Sequence, residues 1–252
     1  ANLERHAPAN TLQIVALALG LMAMLLLTVT RGELLAAWQK ATPPDAPNRF
    51  VINIQPDQRQ AVADLLAADG IAAELSPMVR GRLMQIGDHP VSAASYPDDE
   101  RAQRLIEREF NLSWRAALPP GNRVSAGRWF APEDAGKGLA SIEEGLARTL
   151  GIEPGDELLF VIGGQETRVR VSSLRKLDWD SMRVNFFVLT PPGVLDDAPA
   201  SYITSFHLAT DQTAVGQALV ARFPNLTLID VGAILAQIQA IMGQVARAVQ
   251  FI

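Results

Sequence analysis

An uncharged, strongly apolar run near the amino terminus constrains this chain more than any other feature. No charged side chain occurs between Ala7 and Thr30, and the centre of the run, Leu12 to Val29, reads LQIVALALGLMAMLLLTV. About 20 helical residues, each rising ~1.5 Å, span the ~30 Å apolar core of a bilayer, whereas buried core helices have shorter apolar runs. A cleaved secretory signal is the alternative, but no clean cleavage site follows the run. The run therefore predicts a retained transmembrane helix.

The residues after this run continue a helical pattern. The segment from Glu33 to Lys40 consists mostly of good helix formers, and Arg31 and Trp38 are residue types that suit a membrane–water interface. The proline-rich stretch ATPPDAPN, residues 41–48, then ends the helix. We expect residues 1–40 to form a transmembrane helix and a first stalk, with the proline-rich stretch leading into a folded domain.

The composition excludes several classes of function. The chain has 252 residues, a formal net charge of −5 and no cysteine. An acidic balance argues against a nucleic-acid-binding surface, and the lack of cysteine excludes a disulfide, a Cys-based zinc site and a Cys nucleophile. Position 1 is not Met, and the last residues still follow a helical pattern, so we expect a segment of a longer protein.

Two β-α-β units are predicted, one at each end of the folded region. The first unit consists of a strand at Arg49–Gln55, a helix that begins at Pro56, and two further strands at Ile71–Leu75 and Val79–Ile86. The second unit consists of a strand at Tyr202–Leu208, a helix from Asp211 to Arg222 and a strand at Leu226–Ile229.

Two such units can share one four-stranded sheet, which predicts an α+β fold with a ferredoxin-like (porter-like) core. This core would comprise residues 41–87 and 196–230, and residues 88–195 would form a mostly β inserted subdomain. Within the insertion we predict helices at Asp98–Phe110 and Ser141–Leu150, a hairpin around Gly163-Gly164 and a strand at Val184–Leu189.

The final segment, residues 231–252, has an apolar stripe at helical spacing. It can be an ordinary amphipathic helix that packs on the domain, or a second stalk that leads to a transmembrane helix after Ile252. The rise in apolar character toward the end favours the stalk. The residues predicted to couple the two stalks are Arg31, Trp38, Ile234, Ile238, Ile241 and Val245.

The sequence contains no recognisable catalytic motif. Gly136-Lys137-Gly138 lacks the spacing of a phosphate-binding loop, and no G-x-S-x-G nucleophile motif occurs. The histidines His6, His89 and His207 are too far apart in sequence for a local metal motif. We therefore predict no catalytic, cofactor-binding or metal-binding residues, and we expect a protein that is not an enzyme.

One segment is a good candidate for contact with a partner protein. Asp178 and Asp180 flank Trp179, and without a third catalytic partner a charged loop is a better interpretation than an acid–base pair. Aromatic residues and Met are enriched in interface cores. The candidate contact residues are Trp179, Met182, Phe186 and Phe187.

Three stretches carry a family resemblance. EEGLARTLGIEPGDELLF, residues 143–160, resembles the periplasmic core of MacB/FtsX-like ABC transporter permeases. Residues 172–208, which begin SSLRKLDWDSMRVNFFVL, closely resemble the YbbP type of that family, and residues 225–245, NLTLIDVGAILAQIQAIMGQV, resemble the same permease where its domain rejoins the membrane.

This resemblance implies a function and a location. It implies a multi-pass permease of the bacterial inner membrane, with residues 41–230 in the periplasm and a cytoplasmic ABC ATPase subunit that binds the ATP. It further implies a periplasmic lysophospholipase/thioesterase-like hydrolase as a partner, and the movement or extraction of hydrophobic, lipid-like molecules from the lipid bilayer. The alternative is a single-span, membrane-anchored periplasmic enzyme or ligand-binding module, which a polar tail after Ile252 would support.

Overall fold

The computed structural model describes residues 46–234 and 237, together with residues 15, 17–22 and 25 near the amino terminus; for Asp180 and Thr210 it describes the backbone alone. The chain divides into two compact units, Ala1–Pro44 and Asp45–Ile252.

The described residues of the first unit are helical, and the predicted transmembrane helix is not seen among them. No helix within the described part of the chain is long and apolar enough to span a membrane. The large apolar side chains that are described in this unit are exposed: Val15, Leu17, Leu19, Leu21, Met22 and Leu25.

The second unit consists mainly of β-strands joined by short helices. Within residues 46–234 the strands are β1 (Arg49–Ile54), β2 (Ser76–Ile86), β3 (His89–Pro90), β4 (Phe110–Trp114), β5 (Asn122–Gly127), β6 (Leu139–Glu143), β7 (Glu157–Ile162), β8 (Gln165–Leu177), β9 (Val188–Thr190), β10 (Ala200–Phe206) and β11 (Thr227–Asp230). The α-helices of the same range are α1 (Arg59–Ala68), α2 (Glu100–Ile106), α3 (Glu144–Leu150) and α4 (Thr213–Arg222).

Six strands close into a barrel. Their order around the barrel is β2, β4, β9, β6, β8 and β7, and the ring closes because β7 pairs with both β8 and β2. The β4–β9 and β6–β8 pairs are parallel and the other four are antiparallel. Buried aliphatic and aromatic side chains fill the core of this region, among them Val79, Leu112, Ile142, Phe160 and Val188.

The first residues of β2 also belong to a four-stranded part of the same sheet. Its strand order is β11-β1-β10-β2, and every neighbouring pair is antiparallel. Helices α1 and α4 pack on this part through a second core that includes Val51, Leu66, Phe206 and Leu219. The buried residues Val51 and Ile54 of β1 and the buried stripe of each helix account for this layer.

The predicted fold class is therefore wrong. The fold is not a simple ferredoxin-like α+β sheet that carries an appended β insertion. Strand β2 continues from the four-stranded part into the barrel wall, and strands β4, β6, β7, β8 and β9 complete that barrel. The physical reason is that β2 is 11 residues long, which is enough to pair with β10 at one end and with β7 at the other.

Some predicted elements are confirmed and others change. The β7–β8 hairpin turns at Gly163 and Gly164, whose φ values of 55° and 83° suit a two-residue turn that glycine adopts without strain. Residues 71–75, predicted as a strand, form no regular element, since β2 begins only at Ser76. The predicted helix to Phe110 ends at Ile106, because Phe110 pairs with Gly81 in the barrel.

Candidate functional site

The loop after β8 brings together some of the residues predicted to contact a partner. Trp179 is 50% exposed and its ring lies against that of Phe187, with the ring centroids 5.3 Å apart. The guanidinium carbon of Arg108 lies 5.7 Å from the Phe187 ring centroid, within the range of a cation–π contact. We call Arg108, Trp179 and Phe187 the aromatic patch.

The other two predicted contact residues differ in their accessibility. Met182 is half-buried and has a φ of 52°, a conformation that is uncommon for a residue with a side chain. Phe186 is only 4% exposed, because it packs with Phe130 and Leu189 in a small core. Phe186 therefore packs into the domain beneath the loop surface, and its side chain is not available for contact with a partner.

A buried cation holds this loop against the barrel. Arg175 on β8 has no exposed surface, and its guanidinium donates to Oδ1 of Asn122 at 2.7 Å and to the backbone oxygen of Phe186. The Asn122 amide nitrogen also donates to Oδ1 of Asn185 at 2.9 Å. Burial lowers the pKa of Arg175 to about 9, and the nearby Glu143 carboxylate acts against that shift. These bonds fix the backbone from which the aromatic patch projects.

A second site lies where the chain enters and leaves the β domain. Strands β1 and β11 are adjacent, with Arg49 opposite Asp230, and the Arg49 guanidinium lies 2.6 Å from the Asp230 carboxylate. The Asn48 backbone oxygen accepts from the amides of Val231 and Gly232 at 3.0 and 3.3 Å. We call Asn48, Arg49 and Asp230 the base clamp.

The base clamp also starts the carboxyl-terminal helix. Asp230 accepts from the backbone amide of Ala233 at 2.7 Å, which satisfies one of the free amides of a helix start. Residues 231–234 are helical, and Ile234 is 50% exposed. The remaining predicted coupling residues, Arg31, Trp38, Ile238, Ile241 and Val245, lie outside the described residues.

A buried carboxylate fixes another loop of the barrel. Asp134 accepts from the Arg128 guanidinium at 2.6 Å, from the Ala131 amide at 2.9 Å and from the Lys137 ammonium at 3.3 Å. These bonds hold the pKa of Asp134 well below its usual range, with the Arg128 hydrogen bond as the largest cause. Because both cations and the amide act on one carboxylate, the cluster is a structural anchor.

Within the described residues, no group of three or more His, Asp or Glu side chains is placed to hold a metal ion. His207 lies at the end of β10, where its Nδ1 is 3.0 Å from the backbone oxygen of Ala46.

The anchoring residues Arg175 and Asp134 were not predicted from the sequence, and among the candidate contact residues Trp179 is exposed. A signal for Arg175 was present, since it continues the alternation of Val171 and Ser173 on the buried face of β8. No sequence signal marks Asn48 or Asp230, because their partners lie far away along the chain.

Comparison with known proteins identifies a related sequence. The sequence is 40% identical over 233 residues to a protein of Escherichia coli K12 described as the uncharacterized ABC transporter permease YbbP. The match covers 92% of this chain but only 28% of the permease. No protein-family model matches the chain.

A similar solved structure is a domain of a protein from Porphyromonas gingivalis that is assigned as a permease. The structural match covers 74% of this chain and 93% of that domain, with 13% sequence identity and a TM-score of 0.37. At that TM-score the likeness assigns neither fold nor function. The relationship rests on the sequence match, and it confirms the resemblance: over most of its length, this chain is related to a segment of an ABC transporter permease of the YbbP type.

Proposed function

We propose that this chain is the periplasmic segment of an ABC transporter permease in the bacterial inner membrane. A cytoplasmic ATPase subunit would bind and hydrolyse the ATP, and the β domain would move in response. The molecules moved or extracted would be hydrophobic and lipid-like. The observation that carries the proposal is the 40% identity to a permease across 92% of this chain.

The base clamp supports the coupling part of this proposal. Both flanks of the β domain join it at neighbouring strands, so a force on either flank acts on the same edge of the sheet. The Arg49–Asp230 ion pair and the Asn48 hydrogen bonds tie these two attachment points together. Coupling would run through Arg31 and Trp38 before the domain and through Ile234, Ile238, Ile241 and Val245 after it.

The aromatic patch supports a docking role for the loop after β8. Trp and Arg are enriched among residues that dominate binding energy, and an anchored loop loses little conformational entropy on binding. Arg175 supplies that anchoring. The proposed partner is a periplasmic lysophospholipase/thioesterase-like hydrolase.

Co-purification of the full-length permease with its ATPase and with the hydrolase tests this function. We expect both partners to be retained by the unsubstituted permease. Trp179→Ala should weaken hydrolase binding about tenfold and leave ATPase binding unchanged, since it removes an exposed interface anchor. Val220→Ala is the matched control, because Val220 is also exposed, at 41%, but lies on α4.

Two outcomes would contradict different parts of the proposal. Failure of the unsubstituted permease to retain an ABC ATPase would overturn the assignment as a transporter subunit. Equal hydrolase binding by the Trp179→Ala and Val220→Ala proteins would overturn the aromatic patch as the docking surface.

A further inference from the structure

A cleft of about 520 Å³ lies in the β domain, and its lining includes none of the aromatic patch residues or base clamp residues. Its walls come from the α1–β2 loop, the β4–β5 loop, the loop after β8 and the end of β10. This volume falls within the range of about 300–1,000 Å³ that is typical of small-ligand sites. The residues that give it chemical character are Ile71, Glu74, Ser76, Arg115, Arg183 and His207.

Arg115 is held rigidly in the wall of this cleft. One of its terminal nitrogens lies 2.7 Å from the Glu74 carboxylate, and the other donates to the Ser76 hydroxyl at 2.7 Å. Its side chain is only 16% exposed, whereas that of Glu74 is 70% exposed. A guanidinium has five N–H donors, so Arg115 keeps donors that its two partners do not use.

Arg183 supplies a second cation, and its charge is not neutralised within the part of the chain described. No side chain described there forms an ion pair or hydrogen bond with its guanidinium. Glu74 is the sole carboxylate among the described lining residues, and it already contacts Arg115. The lining therefore carries two formal positive charges against one negative charge.

We infer that this cleft is an oxyanion-binding site, for a phosphate or carboxylate group, in which Arg183 is the main charge partner and Arg115 the pre-positioned second donor. Planar guanidinium groups bind both kinds of oxyanion through paired N–H donors. The side chains of Ile71 and Val184 add an apolar wall that can accept a short hydrocarbon chain attached to the anion. This inference is independent of the ATPase and of the hydrolase.

Isothermal titration of the full chain with two probes tests the inference. Inorganic phosphate represents a free anion, and hexyl phosphate represents a headgroup with an attached chain. Arg183→Ala should weaken binding of both probes about tenfold, because it removes a charge-assisted hydrogen-bond donor. Glu74→Gln should tighten binding about fivefold, because it removes the competing negative charge beside Arg115.

Arg101→Ala is the matched control, since it removes one positive charge from α2 outside the cleft and should bind the probes like the unsubstituted chain. Tighter binding of hexyl phosphate would identify a lipid-like headgroup as the source of the anion. Equal affinities would identify a free anion. The inference is overturned if neither probe binds, or if Arg183→Ala and Arg101→Ala bind the probes equally well.

Discussion

Arg175 connects the barrel wall to the loop that presents the aromatic patch. Burying a charge is unfavourable unless hydrogen bonds compensate for the lost water, and Arg175 has such bonds at Asn122 and at Phe186. Its Nε is without a hydrogen-bond partner among the described residues, so the compensation there is incomplete. We infer that the position of the loop, rather than stability alone, depends on this side chain.

Substitution of Arg175 separates these two effects. Arg175→Ala should lower the free energy of unfolding by on the order of 3 kcal/mol, because it opens a cavity and removes the donor from the Asn122 and Phe186 acceptors. Arg175→Met fills most of that volume and should recover much of the stability, but not the hydrogen bonds. In both variants the amides of residues 185–187 should exchange hydrogen faster, as measured by mass spectrometry. If the amides of residues 185–187 in Arg175→Met exchanged hydrogen at the same rate as in the unsubstituted protein, Arg175 would not hold the loop.

Single residues could be predicted from the sequence only where their surroundings are local. Trp179 lies between two acidic residues, a pattern typical of a surface loop, and its side chain is exposed. Phe186 and Phe187 are adjacent and give no period that tells which one faces the core. The burial of Phe186 depends on Phe130, which lies more than fifty positions earlier in the chain.

At the scale of elements, β2 is the strand on which the fold depends. The sequence predicted two strands separated at Ser76-Pro77, because proline removes a backbone donor. The structure keeps Pro77 within the strand, opposite Tyr202 of β10, where its carbonyl still accepts from the Ser113 hydroxyl at 2.6 Å. The hairpin and the helices next to good caps were predictable because their signals are local. The start of β2 was not, because it is set by a partner strand.

Gly81 tests how β2 fits into the barrel. A Cβ at this position would lie 2.8 Å from Cγ1 of Ile162 and 3.0 Å from Cδ1 of Leu112, which is closer than ordinary van der Waals contact. Gly81→Ala should therefore lower the free energy of unfolding by about 1–3 kcal/mol through overpacking. Denaturant unfolding measures this, with Arg82→Ala on the exposed face of the same strand as the control.

A second substitution distinguishes overpacking from other effects at Gly81. Ile162→Ala removes the Cγ1 atom that the new methyl group would contact. The double variant should be more stable than the sum of the two single changes indicates, since neighbouring residues couple. Strictly additive changes would contradict the close contact between β2 and β7.

At the scale of the whole molecule, the closed barrel could not be predicted from the sequence. Local patterns indicate strands but not their partners, and the closing β2–β7 pair joins Gly81 to Ile162. The parallel β4–β9 and β6–β8 pairs likewise join strands that other elements separate along the chain. The family relationship, by contrast, was predictable because it depends on residue identity rather than on pairing.

Strands β1 and β11 are adjacent, and the ion pair between Arg49 and Asp230 ties them together. In the proposed transporter, a force on either flank would therefore act on one edge of the sheet rather than on opposite ends. In the proposed transporter, ATP binding by the partner subunit would therefore change the separation of the flanks beyond the clamp. Packed elements that switch between two arrangements shift by a few ångströms.

The distance between spin labels on the two flanks tests this coupling most directly. The chain has no cysteine, so in the Trp38→Cys, Gln237→Cys variant spin labels attach within this chain only at those two introduced cysteines. In the full permease–ATPase complex in a bilayer, ATP binding should shift the distance distribution of this pair by several ångströms. A control pair within the β domain, at Arg82→Cys and Arg101→Cys, should not shift. If the Trp38→Cys and Gln237→Cys pair gave the same distance distribution with and without ATP, the proposed coupling would be contradicted.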